Sequence, residues 1–117
     1  MGRPAIIERV PIPLEDDELT ARLFRALGDA TRITILEYLL AEGPKPQKDI
    51  VTRVGLSQGR VSQHLTCLTW CGFVEASKNG REVIYEVVSP RVASLIDLAG
   101  VFLDTTQGDI SSCRIVG

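Results

Sequence analysis

At 117 residues the chain has room for a single domain, and 44% hydrophobic against 24% charged residues is a globular composition that excludes disorder over most of the length. No run of about 18 apolar residues occurs, and the first 13 residues lack an apolar stretch with a small-residue cleavage site, which argues against a membrane span or secretory signal and for a cytoplasmic location. The net charge of −2 excludes a uniformly basic chain, yet residues 45–81 hold six basic side chains (Lys45, Lys48, Arg53, Arg60, Lys78, Arg81) against two acidic ones (Asp49, Glu75), and both flanks are net acidic. Positive charge in the middle third is where a phosphate-contacting surface would need it, although a solvated basic face has the same composition.

Pro4, Pro11 and Pro13 forbid a continuous helix at the start, so residues 1–14 read as an arm. The acidic run Glu15-Asp16-Asp17-Glu18 suits the positive end of a helix dipole, and Leu19, Leu23, Phe24 and Leu27 follow at helical spacing, predicting a helix over 15–27. After the break at Gly28, Asp29 or Thr31 can cap a second helix that carries Ile33, Leu36, Leu39 and Leu40 and stops at Gly43-Pro44. A short helix over 46–54, with Pro46 in its first turn, ends at Gly55. Ser57 then caps a longer helix to Cys71 with the stripe Val61, Leu65 and Leu68, and Gly72 closes it.

From there the period changes from helical to alternating. Strands over 73–77 and 83–87 flank Asn79-Gly80, a strong hairpin signal. Ser89-Pro90 opens a last helix over 90–103 with Val92, Leu95, Ile96, Ala99, Phe102 and Leu103, followed by a short polar tail, 105–117, that carries Cys113. The chain therefore reads as one domain over 15–104, mainly α with a β-hairpin wing. That order is a winged helix-turn-helix.

A helix that enters the major groove needs short or planar polar side chains near its N-terminus. Ser57, Gln58, Arg60, Ser62, Gln63 and His64 meet that need, since Gln pairs with adenine, Arg with guanine, and Ser with phosphate or base. Lys78 and Arg81 on the wing would reach the neighbouring backbone or minor groove of the same double-stranded DNA. The competing account is a polar surface helix of no special function. His64, the sole histidine, makes no zinc site by itself and is assigned to DNA-facing or structural duty.

Residues 26–37, Ala-Leu-Gly-Asp-Ala-Thr-Arg-Ile-Thr-Ile-Leu-Glu, resemble the junction of the first two helices in the ArsR/SmtB family of metal-sensing repressors. Leu56-Ser-Gln-Gly-Arg-Val-Ser-Gln-His-Leu65 is similar to that family's recognition helix, and Gly72-Phe73-Val74 with Asn79-Gly-Arg-Glu-Val-Ile-Tyr-Glu-Val87 to its wing. Together these cover residues 15–104; Ala30 departs from a proline common in the family and affects the turn rather than the function. The resemblance implies a homodimer joined through the first and last helices, bound to an operator of imperfect twofold symmetry.

Cys67 and Cys71 are four residues apart on the long helix, so their Cβ atoms are neighbours at about 5–6 Å. Two thiolates so placed can share one soft ion, and Cys113 could complete a trigonal site for Cd(II), Pb(II), Hg(II), As(III) or Zn(II). The pair could equally be small buried hydrophobes, but a cysteine in a polar tail has no packing reason to be there. The family's arsenic site needs cysteines near Lys48–Arg53, and its zinc and nickel site needs histidines on the last helix; both are missing here. His64-Leu-Thr-Cys67-Leu-Thr-Trp-Cys71-Gly72 instead resembles the CmtR type of cadmium- and lead-responsive repressor. Cd(II) or Pb(II) is thus the favoured inducer, with Cys67, Cys71 and Cys113 as ligands.

Two rival functions fit these residues poorly. A reversible Cys67–Cys71 disulfide fits an intact helix poorly, because it wants Cβ atoms about 3.5–4.5 Å apart. Catalysis by a His64–Cys67 pair lacks an acid to orient the histidine, a phosphate loop and a cleft, so no enzyme activity is expected.

Overall fold

The structure, a computed structural model, describes residues 14–115, with side chains from residue 16 onward. The expected arm, apart from Leu14, lies outside the described residues. The elements follow in the order α1 (Leu14–Leu27), α2 (Ala30–Glu42), β1 (Lys45–Pro46), α3 (Gln47–Val54), α4 (Gln58–Trp70), β2 (Glu75–Asn79), β3 (Glu82–Glu86) and α5 (Pro90–Ser112). This is the expected winged helix-turn-helix. Its core is aliphatic: Ile35, Leu36 and Leu39 from α2, Ile50 from α3, and Val61, Leu65 and Leu68 from α4 pack with Phe73, Val74 and Val92. Among the described residues no polar or charged side chain is fully buried.

Local chemistry sets the helix ends. Asp29, not Thr31, caps α2, its Oδ1 accepting from the Arg32 backbone N–H at 3.1 Å. Ser57 does the same for α4 through the Arg60 N–H at 3.3 Å. Gly72, at φ +86°, closes α4: its N–H donates to the Thr69 carbonyl at 3.1 Å and the Phe73 N–H to the Leu68 carbonyl at 2.9 Å. That pair of bonds is a Schellman stop, and it delivers the buried Phe73 into the core. No atom lies within 4 Å of a Cβ built at Gly72, so Gly72→Ala should cost backbone strain alone, about 1–2 kcal/mol. An unchanged urea midpoint would contradict this.

Three features differ from the sequence expectation. The strands lie at 75–79 and 82–86, not 73–77 and 83–87, because the α4 stop claims Phe73 and Val74 for the core; the hairpin pairs Lys78 with Val83 and Asn79 with Glu82, turning through Gly80 and Arg81. Pro46 precedes α3 as its cap and, with Lys45, forms a third strand paired to Ile84 and Tyr85, giving the antiparallel order β1-β3-β2. Pro46 tolerates this place because an edge strand leaves one side of its backbone unpaired.

The third difference is the last helix, which runs to Ser112 rather than 103, so the expected tail is helical over 105–112. Polar side chains there read as a tail, but their hydroxyls are absorbed by the helix itself. Thr106 donates to the Phe102 carbonyl at 2.8 Å, Ser111 to Gln107 at 2.7 Å and Ser112 to Gly108 at 2.8 Å. Cys113 thereby becomes the residue that caps α5.

Candidate functional site

The α3–turn–α4 unit is rigid because both its ends and its turn are specified. Gly55, in the left-handed conformation at φ +73°, ends α3 with its N–H on the Val51 carbonyl at 2.9 Å. Val61, Leu65 and Leu68 of α4 are completely buried. Ser57, Gln58, Arg60, Ser62 and Gln63 are exposed on the other side, as their assigned role requires.

The wing is tied to α3 by an ion pair, Lys48 Nζ to Glu82 Oε2 at 2.9 Å, and that contact with Glu82 raises the Lys48 ammonium above its ordinary value. A cleft of about 420 Å³ opens where α3, α4 and the wing meet, lined in part by Gln47, Lys48, Gln58 and Arg81. Lys78 and Arg81, on either side of Gly80, are exposed. Lys45 on β1 and Arg53 on α3 lie 5.9 and 5.6 Å from the centre of the ring of Tyr38 on α2, which holds two further cations of the basic middle third in place.

His64 is not among the outward residues. Its side chain is only 14% exposed, and its Nδ1 accepts a hydrogen bond from Arg32 Nε at 3.1 Å. Arg32 Nη1 also donates to the Ala26 carbonyl at 3.1 Å. His64 therefore anchors α4 to the α1–α2 junction, the structural one of the two duties assigned to it. Asp29 completes this group. Burial pushes its carboxyl up, but the backbone N–H groups of Arg32 and Thr31 and the nearby His64 and Arg32 side chains outweigh that and hold it below the usual carboxylate value. Arg32 lies within the 26–37 motif, but no local pattern marks this contact, because its partner lies 32 residues away.

Cys67 is half-buried against the core, and Cys71 is exposed at the C-terminal cap of α4. One helical turn puts Cys67 and Cys71 on the same side of α4, and burial first, then the neighbouring Cys67, raises the Cys71 thiol above its ordinary value while Arg32 opposes the shift. Cys113 sits at the far end of α5. Among the described residues, no three Cys, His, Asp or Glu side chains of one protomer gather around a common point. The structure thus joins Cys67 to Cys71 and leaves Cys113 apart from them within one chain.

Residues 29–76, from the α2 cap into the wing, match the family model described as bacterial regulatory protein, arsR family. A probable mercury resistance operon repressor of Streptomyces lividans is 40% identical over 100% of this chain and 96% of that protein. The chain belongs to the arsR family. Another relative, the HTH-type transcriptional regulator CmtR of Mycobacterium bovis, is 42% identical over 74% of this chain and 75% of its own length. The homodimeric winged helix-turn-helix domain of Mb0332 from Mycobacterium bovis, a possible ArsR-family regulator, superposes with a TM-score of 0.67 at 30% identity, over 89% of this chain and 87% of that one. This arsR-family protein is accordingly a transcriptional regulator with a DNA-binding domain, and no helix among its described residues is long and apolar enough to cross a membrane.

Proposed function

We propose that this arsR-family regulator is a metal-responsive repressor that binds operator DNA as a homodimer and lets go when a thiophilic ion occupies Cys67, Cys71 and Cys113. The observation that carries the reading is the one-turn spacing of Cys67 and Cys71 at one end of the helix whose other end presents Ser57, Gln58, Arg60, Ser62 and Gln63. A metal held at the first end acts on the element that reads DNA at the second. Lys78 and Arg81 add phosphate contacts from the wing.

The dimer follows from surface left uncovered. Leu19 and Phe24 on α1 and Leu98, Val101 and Phe102 on α5 are each at least 60% exposed, and large apolar side chains exposed together mark an interaction surface. Pairing α1 and α5 with a second copy covers it, in keeping with the homodimeric Mb0332 domain. In such a pair the third thiolate is Cys113 of the partner subunit, since one protomer does not bring its own to Cys67 and Cys71.

The inducer is a soft ion, with Cd(II) or Pb(II) first because the Cys67-x-x-x-Cys71-Gly72 pattern follows the cadmium- and lead-responsive type. Hg(II) is the second reading, favoured by the full-length relative named for a mercury resistance operon and by the fitness of two adjacent thiolates for a two-coordinate ion. Operator affinity measured with Cd(II), Pb(II), Hg(II) and As(III) in turn tests both. At least one ion should weaken binding about 10- to 100-fold, and failure of all four would end the metal-responsive reading.

A further inference from the structure

The wing and α3 share one charged contact beside the reading end of α4. Lys48 lies in the first turn of α3, and its Nζ meets Glu82 Oε2 of β3 at 2.9 Å, the length of a charge-assisted hydrogen bond. Both line the cleft of about 420 Å³ that also carries Gln58, the first residue of α4, and Arg81 of the wing turn. The pair is not what holds the wing in place. β3 pairs with β2 along its whole length, from Glu82 opposite Asn79 to Glu86 opposite Glu75, and with β1 through Ile84 and Tyr85. The Lys48 and Glu82 side chains are 73% and 42% exposed, and an ion pair so open to water contributes little to stability. What the contact changes is charge, because it masks one cation of the basic middle third.

We propose that Glu82 sets DNA affinity by standing in for a phosphate: its carboxylate occupies the Lys48 ammonium in the free protein, and DNA takes Lys48 only by displacing it. This rests on the reading that the Gln58 end of α4 meets DNA, and not on the metal response. A carboxylate and a phosphate diester offer anionic oxygens to the same ammonium, so Lys48 exchanges one partner for the other without losing a hydrogen bond. The exchange leaves Glu82 unpaired beside the DNA backbone. The counterion that Lys48 releases from a phosphate is then offset by the cation that Glu82 collects, and the pair adds nothing net to the electrostatic part of binding.

Glu82→Gln removes the charge and keeps an oxygen for Lys48, whereas Lys48→Met removes the cation and keeps an unbranched side chain. Binding is read by fluorescence anisotropy from about 50 to 200 mM salt, on a duplex that the wild type selects from a random pool and on a mixed-sequence duplex of equal length. Glu82→Gln should strengthen binding to both about 5- to 50-fold near 0.1 M salt and steepen the salt slope by about 1–2, since a dimer frees one cation per subunit. Lys48→Met should weaken both by a similar factor, and the double variant should return to within about 3-fold of wild type. All three should keep the wild-type urea midpoint within about 0.3 M. Phosphates carry no sequence information, so a gain on the selected duplex alone overturns the proposal. If the pair serves to hold the wing, both single variants and the double weaken binding alike; if the cleft lies off the DNA, none of them changes it. Either result overturns the proposal. Arg60→Ala, on α4 itself, separates it from the reading it rests on. Weakened binding in Arg60→Ala without a gain in Glu82→Gln overturns this proposal alone, and no change in either variant overturns both.

Discussion

Cys71→Ser should abolish the response of operator binding to Cd(II) while leaving the stability of the metal-free protein within about 0.5 kcal/mol of wild type. Stability is spared because Cys71 is exposed and only caps α4, with ordinary right-handed backbone angles and its N–H on the Cys67 carbonyl at 3.0 Å, all of which serine reproduces. The metal response is lost because a serine hydroxyl does not ionise at neutral pH and is a poor ligand for a soft ion. The wild-type affinity ratio of about 10–100 should therefore collapse toward one. The raised Cys71 thiol adds a pH signature with a definite sign. It is protonated at neutral pH and must release that proton to bind the ion, so Cd(II) affinity should rise with pH, by up to about tenfold per unit for each proton released. A variant that still responds to Cd(II) as the wild type does would remove this pair from the site.

How much of this was legible in the sequence depends on how far apart the interacting residues lie. The helix ends were readable because they are local: Gly43, Gly55 and Gly72 each stop a helix at positive φ, and Asp29, Ser57 and Ser89 each cap one with their own side chain. The cysteine pair was readable for the same reason, since one helical turn sets its spacing. What failed was non-local or lacked a period. Strand β1 is two residues long and exists because Tyr85 and Ile84 pair with it. His64, beside Ser62 and Gln63, reads from sequence as either DNA-facing or structural, and its contact with Arg32, distant in sequence, holds it inward. The last two turns of α5 carry few apolar residues to mark them, so the sequence ends the helix at Leu103, and Cys113 follows the helix at once as its cap, with a shorter tail than the sequence predicts.

Leu65→Ala should destabilise the fold by about 2–5 kcal/mol, a large part of the 5–15 kcal/mol or so that holds a domain of this size. Leu65 is completely buried among Ile35, Leu36, Ile50 and Leu68, all equally inaccessible, so the truncation leaves a cavity between three packed helices that cannot readily close. Its neighbour Gln63, two residues away and exposed, gives the contrast. Gln63→Ala should change stability by less than about 0.5 kcal/mol and weaken operator binding if Gln63 pairs with a base, where such a contact is worth about 1–3 kcal/mol. Urea unfolding at fixed protein concentration separates the two, because the dimer makes stability concentration-dependent. With a slope of about 1.5–3 kcal/mol per molar, a loss of about 3 kcal/mol moves the Leu65→Ala midpoint down by about 1–2 M. A shift below about 0.3 M would mean that α4 is not seated on the core as described, and the division of this helix into a packed face and a reading face would fall with it.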